Sequence, residues 1–364
     1  MLKALFAALV ALHGLIHLMG PAKAWGLAEL PQLTQPISRS AGAAWLAAAL
    51  LCLCTAATLY LWPTRWWLFG LLAAVVSQAV IASSWSDARF GTLANVVLLA
   101  GALYGLLSRG PWSFRAQYAA AVAAGTPSAP AAVLTEADLT RLPAPVQGYL
   151  RVSGAIGRPV PRSFRARWRG RIRGGPDKPW MPFTAEQVNG VDPASRLFLM
   201  DATMRGLPVQ AFHQYQGAHA TMRVKLLSLV PVADARGPEM DVAETVTLFN
   251  DLAVLAPAAL AGPGIAWEAV DAHAARATFI NAGHTVHALL SFNAAGELVD
   301  FRSEERSRSS ADGKTYVVTP WSTPLARYRA FGPARLAGRG TGRWHAPEGA
   351  YDYIELDLLE VTYD

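Results

Sequence analysis

The sequence predicts a four-helix membrane bundle followed by an α+β domain, in which helices cover a curved antiparallel sheet that forms a half-barrel. The charge distribution is one reason: residues 1–119 contain seven Lys or Arg and two acids, whereas residues 120–364 contain 25 and 24. The hydrophobic pattern is the other, because long uncharged runs give way to alternation with a period of two. We therefore predict a bundle over residues 1–115, an Ala/Pro-rich linker over 116–133 and a half-barrel domain over 134–364.

Four uncharged runs account for the predicted bundle, since a helix needs about 20 residues to cross a bilayer core. The runs are Ala4–Ala22, Ala41–Trp62, Trp66–Ser86 and Phe90–Leu107. Tryptophans lie mostly near their ends, as interfacial aromatic residues do. The first run also fits a secretory signal, because Ala22-Lys23-Ala24 has the form of a cleavage site. Cleavage of the first helix is therefore the alternative.

The basic residues around the helices predict the side of the membrane on which the C-terminal domain lies. With four helices, both chain ends share one side. That side carries four basic residues and the opposite side carries three: Lys3, Arg65, Arg109 and Arg115 against Lys23, Arg39 and Arg89. The positive-inside rule then favours a cytoplasmic domain by one charge, and a periplasmic or extracellular domain is the alternative.

Polar residues inside the predicted bundle are the local indication of function in the membrane. They are His13, His17, Gln78, Asp87 and Asn95. His13 and His17 are four residues apart and share a helix face, which is also the spacing of a helical metal pair. No third ligand lies nearby in the sequence, so we predict no metal and two neutral histidines that hydrogen-bond across the bundle. Gln78, Asp87 and Asn95 are the candidate partners, and the alternative for Asp87 is an ion pair with Arg89 at the helix junction. An intramembrane redox or transport role for the histidine pair is the alternative.

One predicted strand has a face made entirely of arginine. Its members alternate with apolar or small residues and are Arg165, Arg167, Arg169, Arg171 and Arg173. The face would bind anionic lipid headgroups if it is free. Alternatively, it is a solvent face that pairs with acids on neighbouring strands.

The remaining segments predict a long series of hairpins with one helical insertion. Strands are expected at Phe183–Asn189, Arg196–Met204, Val209–Gln216, Ala274–Asn281, His284–Phe292, Leu298–Ser307, Tyr316–Val318, Arg335–Trp344 and Tyr351–Val361. The segment Ala220–Ala261 is expected to be helical, particularly Asp241–Leu255. One curved sheet with a helix on one face leaves an apolar hollow as its binding site. Its expected lining includes Trp180, Phe183, Phe198 and Trp321.

Motifs for catalysis are missing from the sequence. There is no GxxxxGK[ST] phosphate loop, no GxSxG elbow, no HExxH and no CxxC. We therefore predict no catalytic residues and no cofactor. The nearly neutral C-terminal domain also argues against nucleic acid. The expected partners are the lipid bilayer and a lipid or amphiphile, and the sequence does not fix the oligomeric state.

Several landmarks resemble an uncharacterised bacterial membrane-protein family. They are the segment LPAPVQGYLRVSGAIGRPVP at 142–161, Thr319-Pro320-Trp321, Tyr328, Gly332-Pro333, Trp344 and Tyr351–Tyr363. Members often carry small transmembrane bundles, and some are labelled ABC transporter permeases. The resemblance implies that the protein lies in the bacterial inner membrane. It implies no particular activity, because none is established for the family. The strand order also resembles the half-barrel of lipoprotein carriers, which implies a hollow that holds acyl chains.

These observations favour a membrane-tethered, non-catalytic protein that binds a lipid or amphiphile in its half-barrel. Two other hypotheses stay open at this point. One is the redox or transport partner that uses His13 and His17. The other is a regulatory module that binds a protein through a sheet edge.

Overall fold

A computed structural model describes residues 2–125 and 132–364. The chain divides into two compact units, Met1–Gln117 and Tyr118–Asp364. The predicted linker falls partly on residues 126–131, which lie outside the described residues. Its first part, up to Ala123, is helical.

The first unit is built from apolar helices. They are α1 (Leu2–His17), α2 (Met19–Ala24), α3 (Arg39–Leu61), α4 (Trp66–Ser83), α5 (Trp85–Ala88), α6 (Gly91–Arg109) and α7 (Phe114–Ala123), which continues into the second unit. Within the described residues, four stretches are long and apolar enough to cross a membrane: Leu2–Ala24, Arg39–Leu61, Trp66–Ser83 and Gly91–Ala123. The predicted four apolar helices are therefore confirmed.

Small residues let these helices approach closely, as in other membrane bundles. A Cβ atom on Gly70 of α4 would lie 2.9 Å from the Cβ of Ala102 on α6. A Cβ on Gly14 of α1 would lie 2.9 Å from the Cβ of Cys52 on α3. Glycine is therefore needed at both positions for the helices to pack as they do.

Beyond the end of α7, the described part of the second unit consists of antiparallel strands with two α-helices and two 3₁₀ helices. The strands are β1 (Ser163–Ile172), β2 (Met181–Val191), β3 (Ala194–Met204), β4 (Leu207–Gln216), β5 (His219–Leu226), β6 (Val230–Arg236), β7 (Ile265–Asp271), β8 (Ala274–Asn281), β9 (His284–Phe292), β10 (Leu298–Ser303), β11 (Ser307–Ser309), β12 (Tyr316–Val318), β13 (Trp321–Ser322), β14 (Leu325–Phe331), β15 (Ala334–Ala346) and β16 (Gly349–Tyr363). The helices are α8 (Ala144–Val152), α9 (Pro238–Leu255) and the 3₁₀ turns Glu136–Arg141 and Pro257–Ala261.

One sheet of the described domain contains 14 of these strands, in the order β6-β5-β4-β3-β2-β1-β16-β15-β13-β10-β9-β8-β7, with β14 added on β15. Helix α9 contacts β5 and β6 at one end of this order and also β9 and β10 towards the other. A single helix reaches both regions only because the sheet curls around it. The predicted half-barrel covered by a helix is therefore confirmed. Strands β11 and β12 form a separate two-stranded hairpin.

The expectation of a helical segment over Ala220–Ala261 is wrong for its first part. Ala220, Met222, Val224 and Leu226 alternate with polar residues and form β5, and β6 follows it. The helix begins only at Pro238, after Gly237 adopts a φ of 106°, a conformation that favours glycine. The sequence pattern also does not predict strands β7, β13 and β14, and it does not predict β11 beyond Ser307.

Candidate ligand-binding cavity

A cavity of about 700 Å³ lies between the concave face of the sheet and helix α9. Apolar side chains from β1–β3, from β5, from β14–β16 and from α9 form much of its wall. They include Trp168, Ile172, Met181, Phe198, Met200, Met222, Val224, Val254, Leu325, Trp344, Ile354 and Leu356. Strand alternation explains this, because every second residue of a curled strand faces its interior.

The mouth of the cavity is marked by lining residues that are exposed to solvent. They come from the loop after β1 (Gly174), from β6 (Val232) and from the β11–β12 hairpin (Ala311, Thr315 and Val317). The hairpin is fastened to the neighbouring rim, because the Tyr316 hydroxyl donates to the Arg236 carbonyl oxygen at 3.0 Å. The cavity is thus open at one side and closed by α9 at another.

A buried charged cluster forms the polar wall of the cavity. Arg196 on β3 donates from Nε to Oδ2 of Asp251 at 2.7 Å and from Nη1 to Oε2 of Glu244 at 3.1 Å. Gln187 and Asn189 on β2 also donate to Oδ2 of Asp251, at 2.6 and 3.3 Å. Glu244 and Asp251 are seven residues apart on α9, so they share a face of the helix. The cluster therefore ties α9 to the sheet.

The two carboxylates of this cluster have opposite shifts of pKa. Burial by itself raises the pKa of Glu244, but Arg196, His213 and Arg306 outweigh it and hold that pKa well below its ordinary value. Burial also raises the pKa of Asp251, and Glu244 adds to this rise, although Arg196 opposes it. Glu244 is therefore the firmly ionised member of the pair.

Arg306 is another cation of the cavity wall. Its guanidinium lies over the rings of Trp321 and Trp344, 4.7 and 4.9 Å from their centroids. Its Nε donates to Oγ1 of Thr247 on α9 at 3.1 Å, and its Nη2 is 3.8 Å from Oε1 of Glu244. Stacking on two aromatic faces holds the charged group in a defined orientation at the wall.

Four buried polar atoms of the lining have no hydrogen-bond partner among the described residues. They are Nδ1 of His213, Oδ1 of Asn250, Nε1 of Trp321 and Oγ1 of Thr323. Buried polar atoms are normally paired, and leaving one unpaired costs about 1–3 kcal/mol. Their concentration around one cavity indicates a site whose polar partners come from a ligand or from water.

The structure brings two of the four predicted hollow residues to this cavity. Phe198 and Trp321 line it. Phe183 is buried in the core, where its ring packs over Gly170, outside the lining. Trp180 stacks against Arg171 and Arg173 at 4.5 and 4.6 Å, also outside the lining.

The arginine face of β1 lies against acids of β16. Arg165 pairs with Asp364 at 4.0 Å, Arg167 with Glu360 at 3.3 Å and Arg171 with Glu355 at 2.8 Å. Arg173 donates to the backbone carbonyl oxygens of Asp352 and Pro176, and Arg169 lines a shallow outer groove that also contains Asp357. These contacts agree with the second interpretation given above, in which the arginines pair with acids on a neighbouring strand. Whether headgroups also bind there stays a prediction.

The polar residues inside the bundle form a hydrogen-bonded network. Ser77 Oγ lies 3.0 Å from His13 Nε2 and 2.7 Å from His17 Nε2, and His13 also contacts Asn95 Oδ1 at 3.0 Å. Asn95 in turn donates to Gln78 at 3.0 Å. Asp87 is bound elsewhere: it accepts hydrogen bonds from the Thr34 hydroxyl and the Gln35 backbone N–H. Nowhere in residues 2–125 or 132–364 do three His, Cys, Asp or Glu side chains come together as a metal site would require.

The fold and the cavity define a class of protein, namely a chain with apolar, membrane-length helices and a half-barrel domain with an internal cavity. Residues 132–356 match a family of unknown function (DUF6544), and the chain belongs to that family. This agrees with the resemblance seen in the sequence, while the ABC transporter permease label of some members stays a prediction. No curated protein matches the sequence.

Several solved structures are similar to part of the chain, and three of them illustrate the similarity. A LolA superfamily protein from Nitrosomonas europaea is 14% identical, over 60% of this chain and 93% of that one, with a TM-score of 0.32. A DUF1329 family protein from Desulfovibrio piger is 13% identical, over 56% and 86%, with a TM-score of 0.34. A domain provisionally assigned as an outer membrane lipoprotein-sorting protein domain from Vibrio parahaemolyticus is 11% identical, over 56% and 85%, with a TM-score of 0.32. Sequence identities and TM-scores this low do not show that this chain shares a ligand or an activity with these proteins.

Proposed function

We propose that this chain is a membrane-anchored, non-catalytic protein whose half-barrel holds one lipid or similar amphiphile. The observation that supports this is the cavity of about 700 Å³ between the sheet and α9. Its volume lies within the range of roughly 300–1,000 Å³ that is typical of small-molecule sites. Like such sites, it combines apolar walls with a few convergent polar groups.

The two kinds of wall favour an amphiphile over a purely polar or purely apolar ligand. Four methionines, Met181, Met200, Met222 and Met240, line the cavity, and methionine adapts its shape to flexible chains. The polar part contains Arg306 and the unpaired atoms of Trp321 and Thr323. A ligand with an apolar chain and a polar head satisfies both parts at once.

The anchor is the bundle of four apolar helices. We place the protein in the bacterial inner membrane with the domain on the cytoplasmic side, on the basis of the basic residues that flank the helices. A fusion after Asp364 tests this side: green fluorescent protein fluoresces there if the domain is cytoplasmic, and alkaline phosphatase is active there if it is periplasmic.

Photolabelling of the full chain in nanodiscs tests the proposal. The probe is a 16-carbon alcohol with a diazirine in the middle of the chain, and labelled peptides are mapped by mass spectrometry. We expect labels on cavity strands such as β5 and β16 as well as on the membrane helices. Labels confined to the membrane helices would contradict the proposal.

A cavity-filling variant supplies the matched control. Gly340 lines the cavity, and a Cβ there would lie 3.4 Å from Cδ2 of Leu325, an ordinary contact. The rest of a leucine side chain would then occupy the cavity, so Gly340→Leu should abolish labelling of β5 and β16. Gly148→Leu adds the same side chain on α8, where a Cβ meets no heavy atom within 4 Å, and it should leave the labelling unchanged.

A further inference from the structure

We infer that the ligand carries an anionic oxygen group and that this group binds inside the cavity, at Arg306. The inference rests on the proposed function and names the class of ligand. It also fixes an orientation, because the polar head would lie against the wall formed by α9 and β13 and would not remain in solvent at the mouth.

Arg306 has donors to spare. A guanidinium has five N–H groups, and the Arg306 side chain makes one hydrogen bond among the described residues, from Nε to Thr247. Its side chain is 11% exposed, so solvent reaches little of it. The remaining N–H groups form a planar fork of the kind that binds carboxylate and phosphate oxygens.

Two further unpaired donors line the same cavity. The indole Nε1 of Trp321 can only donate, and the ring that carries it lies under Arg306. Thr323 lies just after β13, two residues beyond Trp321, and its hydroxyl is also unpaired among the described residues. Ser322, between them, points to the other side and bonds to His345 at 2.9 Å. Arginine, indole and hydroxyl donors together match a group with several acceptor oxygens.

The charge of the lining also favours an anion. The lining contains four arginines (Arg173, Arg196, Arg306 and Arg308) and two acids (Glu244 and Asp251), which is a formal charge of +2 with His213 neutral. Glu348, outside the lining, pairs with Arg308 at 3.8 Å and reduces this to +1.

The two acids are committed mainly to Arg196. That arginine lies 3.1 Å from Glu244 and 2.7 Å from Asp251. Arg306 is 3.8 Å from Glu244, beyond hydrogen-bond distance. An anionic head at Arg306 would therefore supply the charge and the acceptors that Glu244 supplies only in part.

Competition against the neutral diazirine alcohol tests this inference in the full chain in nanodiscs. The competitors are hexadecanol, hexadecanoate, hexadecyl phosphate and inorganic phosphate at pH 8. We expect both charged amphiphiles to compete about tenfold or more better than hexadecanol, as a charged hydrogen bond predicts. Equal competition by hexadecanol would overturn the inference. Competition by inorganic phosphate as strong as that of hexadecyl phosphate would overturn it as well, because the site would then recognise a free anion.

Variants assign the preference to Arg306. In Arg306→Gln the preference for hexadecanoate over hexadecanol should fall to about onefold while the alcohol probe still labels β5 and β16. Arg302→Gln is the matched control: it removes an arginine that pairs with Glu304 outside the lining, and the preference should persist. An unchanged preference in Arg306→Gln would overturn the inference.

A further variant covers the case in which Arg306→Gln does not fold. Trp321→Phe keeps an aromatic side chain, with a smaller ring, and removes the N–H, so it should reduce the preference several-fold, and an unchanged preference would again overturn the inference. If the cavity strands are never labelled, the proposed function itself fails, which is a different result from labelling without a charge preference.

Discussion

Arg196 and Asp251 form a buried ion pair in which Nε of Arg196 lies 2.7 Å from Oδ2 of Asp251. Their side chains are 8% and 12% exposed. Because Arg196 also binds Glu244, one cation of β3 holds two carboxylates of α9. The pair therefore fixes the helix that forms the polar wall of the cavity.

Arg196→Met should destabilise the domain by about 3–5 kcal/mol, because it leaves Asp251 and Glu244 as buried charges without their main partner. The measurement is the free energy of unfolding of the full chain in detergent, followed by near-ultraviolet circular dichroism in a denaturant titration. The transition of the half-barrel should move to a lower denaturant concentration.

The matched control removes all three charges at once. In Arg196→Met/Glu244→Gln/Asp251→Asn no buried carboxylate remains in the cluster, so most of the lost stability should return. If the single and triple variants were destabilised equally, the loss would come from packing of the arginine stem and not from uncompensated charge.

Asp300 should make the folded domain less stable as the pH rises. An ordinary salt-bridged acid has the opposite effect, because its pKa is lowered on folding. Burial raises the pKa of Asp300 from 3.8 to about 6, and the nearby Arg302 and Arg343 only partly oppose this. The folded chain therefore binds the proton more tightly than the unfolded chain. The resulting stabilisation is complete below about pH 4 and is lost as the pH rises through about 6.

Asp300→Asn removes this dependence, since the amide is neutral at every pH. At pH 8 the variant should be more stable than the parent by on the order of 2–3 kcal/mol, and the difference should vanish near pH 4. Unfolding curves of both proteins from pH 4 to pH 8 measure it. Parallel stability profiles would show that Asp300 titrates as it does in the unfolded chain.

Much of the fold is predictable from local periodicity. The expected strands Ala274–Asn281 and His284–Phe292 coincide with β8 and β9, because strict alternation leaves one register that buries the apolar face. The segment before α9 was misread because its alanines and valines suit either structure. Gly237 and Pro238 mark the boundary between strand β6 and helix α9. These two residues decide where the helix begins, and the average composition of the segment does not.

The cavity was harder to predict, because its polar wall is assembled from residues far apart in the chain. Arg196, Glu244 and Arg306 lie on β3, on α9 and after β10, and no short motif joins them. The local signal in the sequence was Glu244 and Asp251, two acids seven residues apart in a helix whose other residues are mostly apolar. Arg306 was expected within a strand, Leu298–Ser307, and this strand in fact ends at Ser303.

Ser77→Ala should weaken the membrane bundle. Ser77 Oγ lies within hydrogen-bond distance of Nε2 of both His13 and His17, so its loss removes the atom that joins them. Hydrogen bonds between membrane helices contribute about 0.6 kcal/mol on average and up to about 1.7 kcal/mol. We expect a loss in this range in unfolding by sodium dodecyl sulfate. Ser83→Ala is the control, because among the described residues the Ser83 hydroxyl bonds only to the Val80 carbonyl oxygen one turn earlier, and a loss as large there would contradict a special role for Ser77.

Strands β1 and β16 are neighbours in the middle of the sheet order. Gly170→Ala should disrupt their pairing. A Cβ on Gly170 would lie 2.0 Å from the Glu355 carbonyl oxygen and 2.7 Å from the Phe183 ring. Since the backbone atom cannot move aside as a side chain can, we expect a cost of about 1–3 kcal/mol or more. Unfolding free energy measures the cost, and hydrogen exchange of the β1 and β16 amides locates it. Gly174→Ala, where a Cβ meets no heavy atom within 4 Å, should change neither, and equal effects at the two glycines would attribute the loss to glycine flexibility instead of this close approach.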